Sequence, residues 1–307
     1  MPAIWIPKRL VDIGLINTAA QHPASFINHC EIEYESRVLA AAAEARESGC
    51  KVIMLTGPSA SGKTTTAHKL SAALSAAGAH SVVVSLDNFY LNIDDYPRLP
   101  DGTKDYENIT ALDIEEIHHC LLELIENGEA EFPEFDFTTE MRKPERLPVS
   151  LQGGVVIVEG IHALNPILTN VLPQGSVYKI YAGLREEYAY GGQRCLPTRD
   201  IRLARRMVRD DKFRGSALDR TIAMWPNVCI GEDTYIKAYK PYADLLLDTS
   251  FSYEICVLAP LVTALKGKLA GLPEGTVLDD LAERFAHCTP LQESMIPPQS
   301  MLREFIG

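Results

Sequence analysis

Residues 55–70 read LTGPSASGKTTTAHKL, and positions 57–64 satisfy the spacing G-x-x-x-x-G-K-[ST]. Gly57 and Gly62 let the backbone curl. Successive N–H groups across Ser59, Ala60, Ser61, Gly62 and Thr65 can then point at phosphate oxygens, and the helix that follows adds its positive end. Lys63 places a point charge on the terminal phosphates, and the Thr64 hydroxyl can ligate the Mg²⁺ that bridges them. The stretch predicts a cradle for a nucleoside triphosphate. Two acids follow strand-like runs. Asp87, in SLDNFY, could accept the proton of an attacking hydroxyl, and Glu159, in VIVEG, could orient a metal-bound water. Each could instead cap the turn after its strand. In DIRLARRMVRDDKFRGSALDR, Arg202, Arg205, Arg206 and Arg209 follow i, i+3, i+4, i+7 and share one helix face. In a phosphotransferase that face reads as a lid that steadies the charge of the transferring group. A solvated helix balanced by Asp200, Asp210 and Asp211, or a nucleic-acid-binding helix, are the alternatives.

The elements that must position these groups alternate along the chain. The apolar runs KVIMLT (51–56), SVVVSL (81–86) and VVIV (155–158) read as buried strands, with further strands at 177–182 and 245–247. Residues 31–48, 64–77 and 112–127 read as helices, with Gly49, Gly78 and Gly128 placed to stop them. The first thirty residues read as irregular because of Pro2, Pro7 and Pro23. The tail reads as helices at 259–270 and 277–286 with apolar stripes, a candidate dimer contact. Alternating strands and helices predict an α/β fold with a parallel sheet, and ligands sit beyond the carboxyl ends of such strands. Gly57, Asp87 and Glu159 all fall there.

Composition narrows the class. The chain of 307 residues is 46% hydrophobic and 23% charged, which is ordinary for a globular protein. Its net charge of −12 argues against a surface that coats nucleic acid or anionic lipid. Seven scattered cysteines without a C-x-x-C pair suit reduced thiols, and His118-His119-Cys120 reads as a half-buried helix face. With no long apolar run and no signal-like start, the expectation is a soluble, cytoplasmic protein. A switch GTPase would need an N-K-x-D element to read guanine, and the chain has none.

GPSASGKTT, SLDNFY, EFDF, VEGIHALNP and DIRLARRMVRD-x-x-FRG occur in the order and spacing of the uridine kinase and phosphoribulokinase family of P-loop kinases. The chain resembles that family over about residues 51–259. It is most similar to the bacterial uridine kinase-like branch, which carries segments like MWPNV (224–228) and SMLREFIG (300–307). The resemblance implies a P-loop fold with a central, mostly parallel sheet, flanking helices and an arginine-rich helical lid at about 198–220. A segment of 1–50 would precede this core, and 260–307 would pack on it. ATP and Mg²⁺ would serve transfer of the γ-phosphoryl group to a hydroxyl of a nucleoside or another small molecule. By the same resemblance Asp87 is the catalytic base beside Lys63, and Glu159 lies near the metal with Thr64. Tyr90, Asp105 and Glu107 hold the acceptor's sugar hydroxyls, although Tyr106-Glu107 stands where Phe-Asp is usual. Arg202 reaches the acceptor, while Arg205, Arg206 and Arg209 close over ATP. One departure touches specificity. Phe135 replaces a tyrosine, and Glu140 stands where a histidine helps read the pyrimidine. An ionised carboxylate accepts hydrogen bonds only, so it would suit cytosine's amino group better than uracil O4. An acceptor without a base, such as a sugar or sugar phosphate, and a catalytically silent nucleotide sensor are the other readings.

Overall fold

The computed structural model describes residues 6–99, 102–214 and 217–307. Pro2 and the glycine of FRG, Gly215, lie outside them. The chain opens with strand β1 (Arg9–Asp12), helix α1 (Ile13–Ala19) and helix α2 (Pro23–Glu47). The first thirty residues are therefore more ordered than the prolines suggest. Pro23 starts α2, at a position where the missing N–H had no partner to lose. Strand β2 (Val52–Thr56) leads through the glycine-rich loop into α3 (Lys63–Ala76), and β3 (Ser81–Ser85) ends just before Asp87. After α4 (Ile114–Asn127) comes an antiparallel hairpin, β4 (Glu129–Asp136) and β5 (Met141–Ser150), then β6 (Val155–Glu159) and β7 (Val177–Gly183). A second hairpin, β8 (Glu186–Tyr190) and β9 (Gln193–Leu196), precedes α5 (Thr198–Arg209) and α6 (Leu218–Gly231). Strand β10 (Leu245–Asp248) and helices α7 (Glu254–Thr263), α8 (Pro273–Phe285) and α9 (Arg303–Ile306) complete the described chain. The helix expected at 259–270 begins five residues earlier and ends at Thr263. Turns with Gly267 and Gly271 at positive φ follow it.

Five strands form one parallel sheet in the order β10-β7-β2-β6-β3. Its central strands are apolar up to their last residues, Thr56 and Glu159, because both faces are covered, and the pleat sorts their side chains. Ile53, Leu55 and Ile157 pack with Ala67 and Leu70 of α3 and Val38 of α2. Val52, Met54, Val156 and Val158 pack with Ile117, Leu121 and Leu124 of α4. The ends of the chain belong to the first of these layers, from Ile13 to Ile306. Strand β1 pairs in parallel with β8, and α9 lies against α5. All seven cysteines carry free thiols. Among the described residues no helix is long and apolar enough to cross a membrane.

Candidate functional site

The glycine-rich loop leaves the sheet between β2 and β7. A Cβ on Gly57 would lie 2.1 Å from the carbonyl oxygen of Ala182, so only glycine lets the loop pass that strand. Gly62, at φ +84°, turns the chain into α3, and a Cβ there would strike Sδ of Met301 at 2.3 Å. Ala60 is left-handed without being glycine, at φ 58°. Helix α5 braces the loop. Arg202 donates to the Ser59 carbonyl (2.9 Å), Arg205 to the Ala60 carbonyl (3.3 Å) and Arg206 to the Ser59 hydroxyl (3.2 Å).

Beyond the strand ends lies a crevice of about 200 Å³, lined by Lys63, Thr64, Asp87, Tyr90, Glu107, Glu159, Arg209 and Glu304, with Ser59, Ala60 and Gly62 in its wall. Asp87 sits in a single turn after β3, where its N–H donates to the Ser85 hydroxyl (3.3 Å). That hydroxyl donates to Glu159 Oε1 (3.0 Å), and Thr64 Oγ1 approaches the same oxygen at 3.4 Å. One hydroxyl and one carboxylate side by side are hard oxygen donors of the kind Mg²⁺ takes when phosphates and water complete its shell. No group of three or more His, Cys, Asp or Glu among the described residues could hold a metal. The residues therefore fit Mg²⁺ bound together with a nucleotide, not a metal caged by protein alone. Burial raises the Glu107 carboxyl to about 7. The cations of Arg206 and Lys63 oppose the rise, and Asp105 and Asp87 reinforce it. Burial, and then Asp87 and Glu107, push the Tyr90 phenol well above its ordinary value, so it stays protonated and can donate.

Glu107 also borders two neighbouring cavities. The larger, about 660 Å³, lies between Asp105, Tyr106 and helix α6, with Met224, Asn227 and Gly231 in its wall. The smaller, about 310 Å³, is lined by Tyr106, Glu140, Arg206 and Asp210. Glu140, at φ 55°, thus faces the same space as Tyr106.

Not every predicted site residue meets there. Arg205 is fully buried, salt-bridged to Glu254 at 2.7 Å, and donates to the Thr249 carbonyl. Arg202 is buried against Glu232 and lies over the Trp225 ring. Both lie behind the loop and outside the wall of the crevice, whereas Arg209 lines it. Phe135 is only 6% exposed, packed on Tyr90 and Phe137, and borders none of these three cavities. Gly57, Ser61 and Thr65 are likewise absent from the lining of the 200 Å³ crevice.

Sequence reasoning missed three groups. Glu304, in the tail, accepts from the Thr65 N–H (3.3 Å) and hydroxyl (2.7 Å), so a carboxylate holds donors at the start of the loop's helix. Ser85 bridges the two strand-end acids. His162 lies 2% exposed beside Tyr235, and burial lowers its imidazole to about 4. The segments SMLREFIG and VEGIHALNP were visible, but nothing local says which of their side chains turn inward.

A phosphate-binding loop between the central strand and first covering helix of a parallel sheet, with acids at the adjoining strand ends, defines a P-loop nucleotide-binding kinase fold. The profile of the phosphoribulokinase / uridine kinase family matches residues 52–171. A uridine kinase of Borrelia turicatae is 31% identical over 200 residues, 64% of this chain and 85% of that one. A uridine kinase of Saccharomyces cerevisiae is 28% identical over 225 residues, 71% of this chain but 40% of the longer yeast protein. A solved structure described as a possible uridine kinase from Bacillus stearothermophilus superposes with a TM-score of 0.49 at 18% identity, over 70% of this chain and all of that one. The chain belongs to the phosphoribulokinase / uridine kinase family.

Proposed function

We propose that the chain is an ATP- and Mg²⁺-dependent kinase that transfers the γ-phosphoryl group to a hydroxyl of a nucleoside or a related small molecule. One observation carries this reading: Lys63, Thr64, Asp87 and Glu159 line a single crevice. Pure nucleotide binding needs no base, and Asp87 is the group that binding alone would leave idle. Lys63 anchors the terminal phosphates, with Arg209 adding charge in the same crevice. Thr64 and Glu159 would hold Mg²⁺, which when bound neutralises phosphate charge. Asp87 takes the proton of the incoming hydroxyl. Tyr90 donates to an acceptor oxygen, and Glu107 accepts from one in its ionised form. The acceptor enters from the cavity between Tyr106 and α6.

A second reading, an acceptor without a nucleobase, draws support from the burial of Phe135, the residue that stands in place of the family's tyrosine. ADP release measured against nucleosides, sugars and sugar phosphates tests both. A nucleoside that raises release well above the background ATPase supports the first reading, and a sugar or sugar phosphate supports the second. If no alcohol raises it, the catalytic proposal fails and a nucleotide sensor takes its place.

A further inference from the structure

Three residues that line the crevice at Lys63, namely Thr64, Arg209 and Glu304, also line a second pocket of about 380 Å³. Phe213, Arg303 and Gly307 complete its wall. The crevice alone, at about 200 Å³, falls below the range of roughly 300–1,000 Å³ usual for sites that enclose a whole ligand. A nucleotide with its phosphates on the loop must therefore extend beyond the crevice. The two spaces adjoin at Glu304.

The Glu304 carboxylate is already engaged there. One oxygen, Oε2, accepts from both the Thr65 N–H (3.3 Å) and the Thr65 hydroxyl (2.7 Å). Thr65 belongs to the first turn of α3, and the N–H groups of such a turn are the donors a phosphate needs. The backbone that carries the carboxylate is fixed. Met301, Leu302, Phe305 and Ile306 are buried, and Met301 lies against Gly62. Arg303 ties the segment to itself, donating to the carbonyls of Glu293 (3.1 Å), Ile296 and Pro297 (3.4 Å). Glu304 itself is half-buried. Its carboxylate can leave Thr65 by turning about its own side-chain bonds while the segment stays in place.

We propose that Glu304 is an autoinhibitory gate: its carboxylate competes with nucleotide phosphate for the Thr65 donors and must turn aside before a nucleotide seats. The proposal rests on the reading of the loop as a nucleotide site. One N–H serves two anions poorly, and like charges sharing a site repel. Every anion on the loop meets the same penalty. A nucleotide offsets it with contacts in the pocket beside Phe213, which an inorganic anion lacks.

The test is calorimetric titration of the full chain with ADP and with tripolyphosphate, in wild type and three variants. Glu304→Ala removes the competitor, and Glu304→Gln keeps an acceptor without its charge. Glu304→Asp keeps the charge but shortens its reach by one methylene. Both ligands should bind about tenfold more tightly to Glu304→Ala, and at least about threefold more tightly to the other two. Unchanged or weaker binding in Glu304→Ala overturns the proposal. So does a gain in Glu304→Gln with none in Glu304→Asp, which marks a general field rather than competition at Thr65. If Glu304→Ala fails to fold, the Gln and Asp variants carry the test. No acceptor enters these titrations, so a lack of acceptor-dependent ADP release would sink the kinase reading alone.

Discussion

Arg205 and Arg209 stand one helical turn apart on α5, and both lie against the ring of Phe305, at 4.9 Å and 5.9 Å. Yet Arg205 is sealed beneath the phosphate loop with Glu254, whereas Arg209 lines the crevice itself. The same division runs through the site. Its floor is a set of buried groups: Arg202 and Arg205, which hold the loop, Glu254 behind them, and His162 beside Tyr235. Its rim, made of Asp87, Glu107, Arg209 and Glu304, lines the crevice. Floor residues should therefore govern stability and rim residues affinity and turnover.

The largest stability effect belongs to Arg205→Met, which leaves the Glu254 carboxylate buried without its cation. A loss of roughly 3–5 kcal/mol is expected in urea unfolding, with much of it regained in Arg205→Met/Glu254→Leu. Arg209→Met should move stability by less than about 1 kcal/mol while raising KM for the nucleotide. Equal destabilisation by the two would erase the distinction between floor and rim.

His162 sharpens it through pH. The folded protein protonates this imidazole only near pH 4, whereas the unfolded chain does so near 6.5. Because the native pKa is depressed, stability is present above about 6.5 and is lost as pH falls toward 4. The loss between pH 7 and pH 5 amounts to about 2 kcal/mol. His162→Phe should flatten that part of the stability profile, and an unchanged slope would show that the imidazole is not buried as described.

The smallest effect is at Glu304. Glu304→Gln keeps an acceptor for Thr65 but removes a negative charge from the first turn of the loop's helix. ADP should bind about three- to tenfold more tightly, up to about 1.4 kcal/mol, with unfolding unchanged. Weaker binding would assign the carboxylate to the ligand's benefit.

How much could be read in advance follows the same divide. The loop, Asp87 and Glu159 were legible because each sits where a buried apolar run stops, and strand ends are marked locally. The shared face of the four arginines was legible from spacing alone, but their depth was not. Depth depends on α7 and α9 bringing Glu254 and Phe305 to that face from 49 and 100 residues away. Glu304 stayed hidden for the same reason. The sheet of β1, β8 and β9 was missed because its strands are short and polar, and Pro23 read as a break when it opens a helix. The hairpin β4–β5 was missed because β5 is mostly exposed and carries two prolines, so neither burial nor alternation marks it.

The central claim, that Asp87 serves the chemistry at the rim, is tested most directly by Asp87→Asn, comparing kcat for the acceptor found in the panel with the Kd for ATP. A fall in kcat of about 10²–10⁴-fold with ATP affinity held within about twofold is predicted. A variant that keeps most of its turnover would contradict the account.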